Sequence, residues 1–237
     1  MLSIRSLISA ACVLPFVCVS ANNGQPSYGG SNCDVSKATI SGLPASLAQN
    51  SSSPLSPSFI AVALGTQNYT CSAAGNYTNI GAVAELFDIS CFYGQKLFDE
   101  SQDIAIQAWK YAPSGMTPAE FVKQAHVSQW VFGQHFYVPN PNGGNTTNPE
   151  WNFVSGNRFN GNPDAYVIAA RLASAAAPTG SQDIDWVHLK NVKGSAAQEV
   201  YRTDTRLGQP PASCTPGSAP IQVRYSSKYY FLGSTLQ

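Results

Sequence analysis

Apolar and polar positions alternate along much of this chain, and the densest run is residues 59–71, FIAVALGTQNYTC. Ile60, Val62 and Leu64 share one parity, while Gln67, Tyr69 and Cys71 share the other. Successive side chains of a strand point to opposite faces, so one regular strand cannot place both sets on one side. Glycine is the usual residue where an extra position enters a strand, and a bulge at Gly65 would reset the parity. The same reset turns Asn68 outward, as the Asn68-Tyr69-Thr70 glycosylation sequon requires. A strand bent at Gly65 is therefore expected to organise the fold.

The remaining pattern predicts further strands. Residues 165–172 place Tyr166, Ile168 and Leu172 on one face, and residues 184–192 and 198–206 flank a turn at Lys193-Gly194-Ser195, a hairpin signal. Residues 221–232 alternate throughout, with Ile221, Val223, Tyr225, Tyr229 and Phe231 inward and Gln222, Arg224, Ser226 and Lys228 outward. Residues 130–138 have strand character and end at Pro139-Asn140-Pro141, before a Gly/Asn-rich loop. Residues 82–91 suit a strand or a helical turn, and 38–43 a short edge strand.

The period changes over residues 98–127. There Thr117-Pro118-Ala119-Glu120 is a capping box with Pro at the first helical position, opening a short helix to about His126. Residues 99–109 also have helix-forming composition. About seven to nine strands spaced by turn signals predict a mainly β fold, an antiparallel β-sandwich or barrel with a short helical insertion. It is expected as one domain over residues 59–237, after an irregular arm at 22–58.

Residues 1–21 read as a signal peptide: Arg5, an apolar stretch at 7–19, and Val19-Ser20-Ala21 at the cleavage site. About 13 apolar residues are too few to span a bilayer, which takes ~20 in a helix. Cys12 and Cys18 leave with this segment, and Cys33, Cys71, Cys91 and Cys214 remain. An even number in an oxidising compartment predicts two disulfides. Of the three pairings, Cys71–Cys91 is favoured because it closes a short loop, which leaves Cys33–Cys214. A zinc site is the alternative, but no CxxC or HxxxH spacing occurs. Charged residues are 11% of the chain, against ~25% in typical domains. Four sequons, at Asn50, Asn68, Asn76 and Asn145, offer glycans that would supply solubility instead. A net charge of zero argues against nucleic acid and anionic membrane as partners.

Six segments in this order, FIAVALGTQNYTC, AELFDISC, GQHFYVP, DIDWVHLKNVKG, VYRTDTRLGQPPASC and IQVRYSSKYYF, resemble the secreted fungal and bacterial proteins grouped as domain of unknown function 3455. The resemblance runs from about residue 59 to residue 231. It implies a compact, mainly β secreted domain with no agreed activity. The family commonly has a Gly-Gly pair where this chain has Leu207-Gly208, and residues 98–127 are longer than the family leads one to expect. Some relatives carry a malate dehydrogenase label. This chain has no GxGxxG turn to hold a nicotinamide pyrophosphate, so no cofactor is expected.

Candidate chemistry is sparse. His135, mid-strand in GQHFY, is the candidate general base, and needs an orienting carboxylate. His126 closes a helix where a cation suits the dipole, and His188 carries no further signal. A serine nucleophile is set aside because there is no GxSxG elbow. Asp183 and Asp185 are candidate calcium ligands, although the six to eight oxygens calcium takes are not visible. In the hairpin, Trp186, His188, Arg202, Asp204 and Arg206 form the most suggestive patch, and Trp186, Arg202, Asp204 and Arg206 are its candidate ligand-binding residues. They suit a ligand surface, with Trp186 stacking on a sugar and the arginines holding an anion. The competing reading makes Trp186 core and pairs Arg202 with Asp204 across the strands. Trp151 and Phe153 carry the same ambiguity. The sequence thus predicts a secreted, monomeric, non-enzymatic protein that binds cell-wall polysaccharide or a small molecule outside the cell or at the wall. A secreted hydrolase or lyase using His135 with a carboxylate or Arg202 is the alternative.

Overall fold

The computed structural model describes residues 33–49 and 52–236. The expected signal peptide, the start of the arm and the Asn50 sequon lie outside the described residues. Eight strands form a closed barrel: β1 (Pro57–Cys71), β2 (Tyr77–Asp88), β3 (Gly133–Pro139), β4 (Thr147–Asn152), β5 (Tyr166–Ala175), β6 (Trp186–Lys193), β7 (Glu199–Leu207) and β8 (Ile221–Leu232). Each pairs antiparallel with the next, and β8 closes onto β1. Of the two β architectures expected, the barrel is the one formed. Two helices, α1 (Lys96–Lys110) and α2 (Pro118–Gln124), lie between β2 and β3. Among the described residues no helix is long and apolar enough to cross a membrane.

Strand β1 is central because it is buried on both faces. Phe59, Ala61 and Ala63 point into the barrel, while Ile60, Val62 and Leu64 point outward into a second core. That outer core holds Phe98, Ile106 and Trp109 of α1, Phe121 and Val122 of α2, and Leu47 of the arm. The two parities therefore need no reset, and the expected bulge at Gly65 is corrected: Gly65 pairs regularly with Ala84 and Tyr225. The β1–β2 register shifts later, between Asn68 and Tyr69. Gly65 serves close approach instead, since a Cβ there would lie 2.5 Å from the Cβ and 2.8 Å from the Cα of Ala84.

The helices form where the capping signals predict. Thr117 accepts from the Glu120 N–H, the Glu120 carboxylate accepts from the Thr117 N–H, and Pro118 opens α2. α2 stops at Gln124, and His126 beyond it has φ 57°. α1 is fastened to the barrel by polar side chains. Trp109 Nε1 donates to the Gly65 carbonyl (2.7 Å), Ser226 Oγ to Gln102, and Arg206 pairs with Asp103. Buried Lys228 lies over the Phe98 ring, 3.6 Å from Asp204.

Three expectations change here. The disulfides are Cys33–Cys91 and Cys71–Cys214. Cys71 ends β1 beside the β1–β2 turn, whereas Cys91 follows the far end of β2, near Ile60. Ten ladder steps separate Ala61 from Cys71, about 33 Å at ~3.3 Å each, so the short loop in sequence is long in space. Residues 38–43 form no strand; Ala38 packs into the outer core instead. β4, inside the Asn-rich stretch read as loop, is a strand. At the family's Gly-Gly position Leu207 has φ 58° and Gly208 φ 93°, the left-handed conformation that favours glycine.

Candidate functional site: the barrel mouth

The two ends of the barrel differ. One is plugged by Phe59, Phe132, Phe153, Phe159 and Phe231, whose rings lie 4.7–5.8 Å from the Phe59 ring. At the other end two ladders stop short. Only residues 84–86 of β2 pair with 133–135 of β3, and only residues 150–152 of β4 pair with 166–168 of β5. Beyond that point Asn148 bridges to β5 by its side-chain amide, donating to the Ala169 carbonyl (2.9 Å). The mouth encloses a cavity of about 620 Å³, floored by His135, Trp151, Val187 and Tyr229 and rimmed by Tyr69, Tyr77 and Tyr137. This is the size range of small-molecule sites.

His135 is 2% exposed and stacks on Trp151, its cross-strand partner, with ring centroids 4.6 Å apart and planes 10° from parallel. Nδ1 lies 2.8 Å from the Glu150 carbonyl oxygen. A carbonyl only accepts, so Nδ1 carries the proton and Nε2 is left as an acceptor. Burial disfavours the imidazolium and, with the nearby Arg202 charge, pushes the His135 pKa down to about 3. Burial likewise raises the phenols of Tyr69 and Tyr137, which stay protonated donors at neutral pH.

This makes a testable contribution to acid stability. Folding lowers the proton affinity of His135, so its contribution is complete above the unfolded value of about 6.5 and is lost as pH falls toward about 3. The loss reaches up to about 1.4 kcal/mol per pH unit. Urea midpoints of wild type should therefore fall more steeply than those of His135→Gln between about pH 6 and pH 4. Equal slopes would contradict a neutral buried imidazole.

Arg202 also faces the cavity. Its Nε and Nη2 donate to the Asp185 carbonyl (3.2 and 2.9 Å), and among the described residues no carboxylate lies within ion-pair distance. Arg171 and the Asp185 side chain complete the charged groups of the wall. Two buried donors of wall residues, Gln67 Nε2 and Trp151 Nε1, have no partner among the described residues.

The rest of the expected hairpin patch is elsewhere. The β6–β7 register sets Val187 opposite Arg202 and His188 opposite Tyr201, one residue from the alignment that would join Trp186 to Arg202. Arg202 thus points inward, while Trp186, 4% exposed, is buried in the outer core with Tyr201. Asp204, with φ 49° at a β7–β8 register shift, pairs with Lys228 rather than Arg202. Arg206 pairs with Asp103. The Asp183 carboxylate accepts from Thr179 Oγ1 and the Leu207 N–H, so it tethers the β7 end. Among the described residues no group of three His, Cys, Asp or Glu is placed to hold a metal. His188 is bound outside the barrel, to Glu199 at 2.9 Å.

Fold and site define a closed, eight-stranded antiparallel β-barrel, stopped at one end and open at the other onto a cavity with an unpaired arginine. The family described as "Protein of unknown function (DUF3455)" matches residues 51–233, and the chain belongs to it. No curated protein and no solved structure matches the chain.

Proposed function

We propose that this chain is a secreted, N-glycosylated protein that binds a small ring-bearing molecule in the mouth of its barrel and does not transform it. The observation that carries this reading is the cavity itself, with Arg202 facing it unneutralised among aromatic walls. Two disulfides support an oxidising compartment. Asn68, Asn76 and Asn145 all lie toward the mouth end of the barrel, on β1 or in the turns after β1 and β3. Glycans there would crowd the entrance and admit a small molecule more readily than a polymer. That, with Trp186 buried, favours a small ligand over wall polysaccharide. Closure of the barrel confines free strand edge to the mouth, where two ladders stop short, which supports a monomer.

The enzymatic reading gains from the meeting of His135 and Arg202 in one cavity. It is disfavoured by the imidazole, whose pKa of about 3 makes a weak base at neutral pH. Its orienting partner is a backbone carbonyl, not a carboxylate. The test is a ligand-observed NMR screen of ring-bearing fragments on the disulfide-bonded protein, repeated on Val187→Trp, which fills the cavity floor. Hits lost in the filled variant, with far-UV circular dichroism and cooperative urea unfolding retained, are expected. Hits retained there would place binding elsewhere.

A further inference from the structure

The unsatisfied groups of the mouth are mostly donors. Arg202 Nη1 has no partner among the described residues, the Arg171 side chain makes no hydrogen bond or ion pair there, and Gln67 Nε2 and Trp151 Nε1 are buried without one. Gln67 is held by its oxygen, which accepts from Asn79 Nδ2 at 3.0 Å. Buried donors without partners are rare in native proteins, and mark where a ligand or ordered water supplies the acceptor. The charges agree. Two arginines face one carboxylate, Asp185, with His135 uncharged, so the cavity is positive. Both arginine charges bear on the Tyr137 phenol, so both lie within electrostatic reach of that rim residue.

The apolar part of the wall is aromatic. Trp151 and His135 lie face to face, and Tyr229 sits 5.3 Å from Trp151 and 5.6 Å from His135, inclined to both. Such rings pack best against another ring. His135 Nε2 adds a lone pair at the cavity floor, fixed as an acceptor by the Nδ1–H bond to Glu150.

Building on the small-ligand reading above, we infer that the mouth is a site for an aromatic carboxylate. Arg202 and Arg171 hold its anion, the Trp151–His135 wall takes its ring, and His135 Nε2 accepts from a ring hydroxyl. Arginine suits this task because its planar fork can remain bonded to the Asp185 carbonyl through Nε and Nη2 while Nη1 meets the ligand.

The experiment is isothermal titration of the secreted, disulfide-bonded protein with 4-hydroxybenzoate, its methyl ester, benzoate and acetate. The hydroxy acid is expected to bind about tenfold or more tighter than its ester, the usual range for one charge-assisted hydrogen bond. Benzoate should fall between them, and acetate should bind weakest. Arg202→Gln should bring acid and ester together. Because Arg202 also bonds the Asp185 carbonyl, Arg171→Gln, at an exposed position, provides a second variant that should reduce the same preference. Ester binding as tight as the acid would overturn the anion site yet leave the small-ligand reading standing. Acetate as tight as benzoate would overturn the aromatic wall. No binding by any of the four at about 1 mM would overturn the inference outright, while hits among other fragments would still uphold the broader reading.

Discussion

Gly65→Val is expected to lower the stability of the protein by about 3 kcal/mol or more, the scale of severe core overpacking. At this position β1 and β2 approach too closely for a side chain. The nearest atoms are the Val83 carbonyl oxygen and the Cα and Cβ of Ala84, all on or next to backbone, so no flexible side chain can move aside. Relief would require parting a ladder that runs almost the whole length of both strands. It would also shift the Gly65 carbonyl, which holds the indole of Trp109 and so the last turn of α1. Urea unfolding of wild type, Gly65→Ala and Gly65→Val would measure the effect, with alanine already harmful and valine worse. A Gly65→Val midpoint equal to that of wild type would mean that the strands are not so close.

The second large effect concerns Cys71–Cys214. This bond closes 143 residues of sequence and fixes the segment between β7 and β8 against the β1–β2 turn, where the Cys214 N–H also donates to the Gly75 carbonyl. Gln209 and Pro210 of that segment line the cavity. Chain-entropy reasoning gives about 5 kcal/mol for so long a loop, and measured losses for native disulfides run at about 2–5 kcal/mol. A Cys71→Ala, Cys214→Ala double variant should lose that much and also bind ligand less tightly, since one rim of the mouth is released. Removing Cys33–Cys91 instead frees the arm from the outer face, and should weaken the fold while sparing affinity in the molecules that remain folded. Equal losses of affinity in both variants would contradict this division. Non-reducing peptide mapping checks the pairing itself.

Much of the fold is legible in the sequence because local signals carry it. The capping box of α2, the alternation of β8 and the turn punctuation around β6 and β7 each depend on residues close in sequence. Sequence and structure part where an element is buried on both faces. β1 has two buried faces, since α1 covers its outer side, and nothing within residues 59–71 announces that helix. Ser226 and Lys228 look like outward polar positions and do point outward, yet both are buried beneath α1. β4 carries no strand signal because TNPEWN is poor in strand formers. Its Pro149 is tolerated because pairing with β5 begins only at Glu150.

The site was half visible. His135 and Arg202 stood out as isolated polar side chains in strands, and both reach the cavity. Their grouping did not, because a register shift of one residue moves every side chain to the opposite face. Trp186 and Arg202 look like neighbours in a hairpin drawn one residue out of step, and are on opposite sides of the wall in the one that forms. Tyr69, Tyr137 and Trp151 could have been found by taking the inward parity of each strand together with His135. That step needs the barrel to be known first.

The most direct test of a ligand site in the barrel mouth is a two-dimensional NMR titration of the four tryptophan indole N–H signals with 4-hydroxybenzoate. Trp151 lines the cavity, Trp109 is bonded to Gly65, and Trp130 and Trp186 lie in the outer core. The Trp151 signal should move in a saturable way while the other three stay in place. Movement of Trp186 with Trp151 unmoved would put binding on the outside of the hairpin and contradict the account.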